Sequence, residues 1–542
     1  MRRVSCISAF AVGVAIAGWS PEAEACGGFF CSRVPVDQSG ERIIFTVDDG
    51  RVEAHVQIQY VGDAQNFAWI VPVHGVPTLG IGAPSFFTYL AQVTQPQFRL
   101  TWEGSCSFLR SASGVPVANA GPVPPPTAED SGVQVLQQSQ VGPYDSAILS
   151  ATDANALKTW LISNGFDVSS TADSAIDPYV GQGYNFVALK LQKDRAVGDL
   201  RPIVLSFEGT RPCVPIRLTA VAAQPNMPII AYVFAAARAV PVNYRHVLIN
   251  ETRIDWLSGG ANYTQVASRA IDEAGGQAFL TDLAGSTAPF AEPNEMQLPG
   301  PSLDTSILAT KAHPVDFVLE VFRQNFPRGD GALLAMLQRY VPLPQSLQGI
   351  VSPQQFYNDI ASYRSDIESD PGRAPFDAAA FANELEASIV APLRRAREIL
   401  ATYPYLTRLF TTMSVEEMTV DPEFDFNASA ADVSNIHDAR ARPLCDSDNR
   451  VRITLADGRY FNVSLGSGPV SAGPNAERIE QYTPEGAPAT LVDNRAAINA
   501  AIGRFGGGVA GNCGCGGATA AGPFAVVALL AIRALRARLR RS

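Results

Sequence analysis

Glu416, Glu417, Asp421, Glu423 and Asp425, with Asn427 beyond, form the densest polar constellation in the chain. Calcium takes about six to eight oxygen ligands, many from carboxylates, and an alternating acidic segment presents several of them on one side. Asp421, Glu423 and Asp425 are therefore the candidate metal ligands, and calcium is the one cofactor suggested. A structural reading competes. Ser414-Val-Glu-Glu417 has capping-box spacing: the Ser414 side chain caps the first amides and Glu417 reaches back to it. The glycine of a helix–loop–helix calcium loop is missing, and Pro422 and Phe424 interrupt the series. Capping followed by a solvated acidic strand is the leading interpretation. A carboxylate-dependent hydrolase would need a second carboxylate delivered from elsewhere in the fold.

The five histidines are scattered. His55 falls in the polar register of an alternating strand and is expected to face solvent; His74 closes an apolar run, and His246 lies in Asn243-Tyr244-Arg245-His246. Two of them could meet in the fold, yet no spacing joins them, and a satisfied structural histidine is the default. The Gly-x-Ser-x-Gly elbow, the His-Glu-x-x-His zinc helix and the phosphate loop are all absent. Gly80-Ile81-Gly82 lacks the third glycine of a dinucleotide fingerprint and reads as a loop. No nucleophile, base and orienting group stand at recognisable spacing, so no catalytic or cofactor-binding residue is assigned and the balance leans against an enzyme.

Cysteine usage points to export. Eight are present. Cys6 belongs to an N-terminal leader, and Cys26, Cys31, Cys106, Cys213 and Cys445 remain for the body as disulfide candidates, with Cys26–Cys31 the preferred local pair. Cys513-Gly-Cys515 is too tight for a redox pair and sits just before an apolar segment, which favours lipid or processing chemistry.

Those groups must be positioned by a large body. Residues 1–25 read as a signal peptide: Arg2 and Arg3, an apolar core over 7–18, then Ala23-Glu24-Ala25 as the cleavage site. Residues 513–532 are uncharged, and five arginines follow within 533–541, the pattern of a membrane segment with a cytoplasmic tail. Between the two ends, 34 basic and 50 acidic residues leave a net charge of about −16. Phosphate neutralisation dominates nucleic-acid affinity, so DNA and RNA are excluded as partners.

Across residues 51–73, Val52, Ala54, Val56, Ile58 and Tyr60 alternate with Glu53, His55, Gln57 and Gln59, the period of a half-buried strand. Asp49-Gly50 offers hairpin chemistry before it, and 68–73 is a further apolar run. Strands are also expected over 98–102, 186–191, 203–207, 214–221, 229–234 and 244–249. Beyond the Pro-rich connector at 287–314 the period turns helical, over 317–322, 332–337, 353–360, 376–400 and 405–411. Residues 450–463 form a hairpin around Asp457-Gly458. The expected fold is α+β: a β-rich N-terminal part with inserted helices, a mainly helical middle part, a C-terminal β-hairpin and a short transmembrane tail. The expected regions are 1–25, 26–290, 291–430, 431–500, a Gly-rich stalk at 501–517 and an anchor at 518–542.

The stretches QIQYVGDAQNFAWIVPV, RAVPVNYRHVLINETRIDW, YLTRLFTTMSVEEMTVDPEFDFN and VSNIHDAR, in that order, carry a resemblance. The chain resembles the uncharacterised exported bacterial family called domain of unknown function 2330, over about Cys26 through the 430s. Its tail, GNCGCGG with an apolar segment and arginines, is similar to MYXO-CTERM sorting tails, which implies surface sorting and processing at Cys513 or Cys515. Here the apolar segment is short and carries Pro523. The family implies an address and a fold unit but no chemistry. The expected function is an exported, membrane- or surface-anchored envelope protein, a non-enzymatic binding or structural module whose partner would be an envelope protein or polysaccharide. Its alternatives are a hydrolase acting outside the cytoplasm through paired carboxylates and a calcium-stabilised surface protein.

Overall fold

The computed structural model describes residues 37–61, 68–104, 134–166, 172–192 and 200–509, except 222, 301, 374 and 447. Its centre is a mixed ten-stranded sheet. In spatial order the strands are Ala489–Asp493, Ala476–Gln481, Arg245–Ile249, Ala278–Ser286, Tyr405–Met413, Met227–Ala235, Asp37–Asp48, Arg51–Val61, Ile203–Glu208 and Thr78–Ile81. The hairpin Asp37–Asp48/Arg51–Val61 forms where Asp49-Gly50 was expected to turn it, with both turn residues at positive φ.

Both faces of this sheet are covered. The period of two sends Ile43 and Phe45 to one side and Ile44 to the other. On the Ile44 side lie the helices Pro314–Arg323, Gly331–Tyr340, Ala378–Leu385 and Ala391–Thr402. On the other side packs a four-stranded sheet, Ala68–Val73, Asn185–Leu191, Tyr144–Ser150 and Gln134–Val141. Its inner face gives Trp69, Val71, Val187 and Leu189 to the shared core, and its outer face gives Ile70, Leu149 and Phe186 to the helix Ala154–Ser163. A five-stranded sheet, Gly508–Val509, Arg459–Ser464, Arg450–Leu455, Ile436–Pro443 and Gln97–Trp102, stands beside these layers with its own core.

The fold is α+β, with its parts interleaved. The helical segment is an insertion between Ala278–Ser286 and Tyr405–Met413, which pair directly. The hairpin at Asp457-Gly458 exists, but it is one part of the five-stranded sheet, and Ala476–Gln481 returns to the large sheet. Two local expectations are corrected. Residues 405–411 are a strand: its side chains are buried on both faces, so the alternation that marks a strand is lost. Residues 214–221 hold a short helix, Ile216–Thr219, after Pro215, which has no amide to give to a ladder.

The signal peptide, Cys26, Cys31, Cys513, Cys515 and the tail lie outside the described residues. Among the described residues, no helix is long and apolar enough to cross a membrane. Cys213 is a free thiol and Cys445 is disulfide-bonded.

Candidate functional site

The acidic segment is built into the body. Ser414 and Glu417 make the expected capping box, with the Ser414 amide donating to Glu417 Oε2 at 2.7 Å. Asp421 Oδ1 accepts from the Tyr179 hydroxyl at 2.9 Å and the Arg217 amide at 3.0 Å, while burial pushes its carboxyl above the ordinary range. The Glu423 backbone bridges to Cys213, and Asp425 pairs with Arg211 at 2.6 Å. The three candidate ligands thus face separate partners. Among the described residues, no group of three His, Cys, Asp or Glu side chains is placed to hold a metal ion. Asp421 reads as a tie between the loop and the helix Ala172–Gly181. Asp421→Ala should cost about 1–3 kcal/mol by stranding the buried Tyr179 hydroxyl, read as a lower urea midpoint. A calcium-dependent rise in melting temperature that Asp421→Asn abolished would support the metal interpretation instead.

His55 departs from its expected solvent-facing place. It is 2 % exposed, because the polar register of its strand faces the helical layer rather than water. Its Nε2 lies 2.6 Å from Glu53 Oε1, and Arg395, on Ala391–Thr402, reaches both Glu53 oxygens at 3.1 Å. His74, exposed, lies against Tyr184 with ring centroids 3.9 Å apart and the planes tilted.

His246 stands elsewhere, in the wall of a cleft of about 630 Å³, a volume suited to a small ligand. The cleft opens where the strands Arg245–Ile249, Ala278–Ser286 and Ala476–Gln481 meet the 429–433 loop and the five-stranded sheet. Three register shifts converge there: at Leu248/Ile249, Thr281/Leu283 and Ile479/Glu480. Each frees a residue from the ladder and re-aims side chains, as bulges do. The extra residue at the second is Asp282.

In the cleft wall, His246 Nε2 is 3.0 Å from Thr281 Oγ1, and Nδ1 is 3.4 Å from Glu480 Oε2. Arg238 donates from Nη2 to the same Thr281 oxygen at 3.1 Å and from Nη1 to the Ala431 carbonyl at 2.5 Å. Tyr482 sets its ring edge-on to His246 at 5.0 Å and lies under the Arg238 guanidinium at 5.3 Å. Burial pulls His246 below its ordinary value, although the Glu480 hydrogen bond pulls the other way, so the ring is neutral near pH 7. Burial pushes Glu480 up, but its hydrogen bond to His246 and the charges of Arg478 and Arg238 leave it below the usual range. Behind them Asp282, 4 % exposed, sits 3.0 Å from Arg408 Nε and accepts from Tyr263. Across the cleft, His437 Nδ1 is 2.7 Å from Glu251 Oε1, and Arg459 pairs with Asp457 and Glu477.

Of these residues only His246 stood out in the sequence. The available signal for the others was weak: Thr281-Asp282 interrupts an apolar run, and Glu480 follows Ile479 in an otherwise ordinary strand. A second cavity, about 430 Å³, lies on the four-stranded sheet beside Trp160 and Lys190, whose ammonium burial pulls down to about 8.

Residues 20–297 match the sequence model of a bacterial family described as an uncharacterized protein conserved in bacteria. No curated protein and no solved structure matches the chain.

Proposed function

The chain belongs to the DUF2330 family, whose description assigns no activity, and from the cleft we propose that it binds a small ligand bearing a carboxylate or phosphate. Arg238 carries this reading. It is 4 % exposed, lines the cleft and, among the described residues, makes no ion pair. Its terminal nitrogens meet neutral acceptors, and its Nε has no partner. The Glu480 carboxylate, whose charge it feels, is already paired with Arg478 at 3.0 Å; a buried cation short of counter-charge is costly, and an anion seated in the cleft supplies more. Arg459, 8 % exposed, adds a further nitrogen, Nη1, without a partner on the facing wall. The leader and the basic tail of the sequence support a body exported across the inner membrane and held at the cell envelope.

Isothermal calorimetry and thermal melts with inorganic phosphate and with succinate test this on the soluble body. At least one should bind saturably and raise the melting temperature. Arg238→Met should weaken binding by roughly tenfold or more, the loss of a charge-assisted contact. A folded wild-type body that neither anion binds would overturn the proposal.

A further inference from the structure

Resting on that cleft, we propose that it is also an acyl-transfer site, with Thr281 Oγ1 the nucleophile, His246 the general base and Glu480 the residue that positions the imidazole. The three come from three strands, Ala278–Ser286, Arg245–Ile249 and Ala476–Gln481, and meet in the order hydroxyl, imidazole, carboxylate. Donor rules set the protons. The Glu480 carboxylate can only accept, so the neutral ring carries its proton on Nδ1, facing Oε2. Nε2 then accepts the Thr281 hydroxyl hydrogen, while the Thr281 oxygen accepts from Arg238 Nη2. That is the tautomer a general base needs. A histidine satisfied for structure alone would need no cavity, yet His246, Thr281 and Glu480 all line the cleft.

The substrate class is an ester or thioester whose acyl part carries an anionic group. In the first half, the Thr281 O–H bond breaks and its proton passes to His246 Nε2. Oγ1 bonds the carbonyl carbon as the π pair moves onto the carbonyl oxygen. The tetrahedral adduct collapses, the C–O or C–S bond to the leaving group breaks, and the departing alcohol or thiol takes the proton from Nε2. Water repeats the sequence, releasing the carboxylic acid and restoring the Thr281 hydroxyl. The unpaired charge of Arg238 beside Oγ1 favours both the alkoxide and the developing oxyanion. His246 is faced by Glu480, Arg478 and Arg238 and by the ring of Tyr482. Since burial keeps it neutral near pH 7, turnover should fall only on the acid side.

The test uses two probes, the mono-p-nitrophenyl ester of succinate and p-nitrophenyl acetate, with p-nitrophenolate release and peptide mass mapping. The expected results are an acyl group on Thr281, a preference for the anionic ester and a loss of roughly a hundredfold or more in turnover for Thr281→Val and His246→Gln. Thr281→Ser should restore acylation. Glu480→Gln should lower kcat with KM little changed and move the acid limb to lower pH, because the carboxylate raises the imidazole. Wild-type protein that binds succinate but carries no acyl group on Thr281 after either ester would overturn the acyl-transfer step and leave the anion cleft standing. Equal acylation by both esters without succinate binding would instead remove the anion cleft.

Discussion

Arg408→Met is expected to destabilise the body by about 3–5 kcal/mol, the loss that follows when one partner of a buried ion pair is removed. Arg408 is 6 % exposed on the Tyr405–Met413 strand, and its Nε lies 3.0 Å from the buried Asp282 carboxylate. It also donates to Thr94 Oγ1 at 3.2 Å and spans the Tyr232 ring at 5.7 Å. Without it, the Tyr263 hydroxyl is the one hydrogen bond Asp282 keeps among the described residues, and burial already pushes its carboxyl up. The double change Arg408→Met with Asp282→Leu should recover much of the loss, because the stranded charge disappears with its partner. Urea titrations of the wild type, the single variant and the double variant measure this. A single variant within 1 kcal/mol of wild type, or a double variant no better than the single, would show that the pair is not the tie it looks to be.

The second large effect is acid sensitivity at the joint between sheet and helices. Glu53 is held at about 2: burial raises it, but the hydrogen bonds from His55 and Arg395 and their charges outweigh that. A carboxylate whose folded value is depressed contributes stability that is present above its unfolded value, near 4.5, and lost as pH falls toward 2. Taken at about 1.4 kcal/mol per unit and discounted for the side's contact with solvent, the contribution is on the order of 2 kcal/mol. Among the described residues, His55 and Arg395 have no other carboxylate so placed, apart from Glu398 beside Arg395. Glu53→Gln should therefore lower stability at pH 7 and flatten its decline between about pH 5 and 2. Melts across that window, compared between wild type and variant, check it; parallel curves would remove Glu53 from the account.

Local features were legible in the sequence because each is decided within a few residues. The hairpins at Asp49-Gly50 and Asp457-Gly458 need a turn residue that tolerates positive φ, which Asp49, Gly50 and Gly458 supply. The box at Ser414 and Glu417 needs only a spacing of three. The alternation of Val52, Ala54 and Val56 marked a strand, and it is one. Which face of that strand meets water was not decided there. His55 looked solvent-facing because polar residues alternate around it, and only the later helix Ala391–Thr402 covers it. The 405–411 segment looked helical for a related reason: a strand buried on both faces loses its period, and its partners arrive from 227–235 and 278–286.

The cleft belongs wholly to the tertiary structure. Thr281, His246 and Glu480 are 35 and 234 residues apart along the chain as measured from His246. No motif can record such a spacing, because the ladder that joins the three strands is set by the whole sheet. Composition by itself determined that the body is acidic, which is the ground for expecting no nucleic-acid partner. That a hydroxyl, an imidazole and a carboxylate stand in line beside a guanidinium was decided by long-range strand pairing, which sets His246 opposite Glu480, and by the bulge that leaves Asp282 out of the ladder.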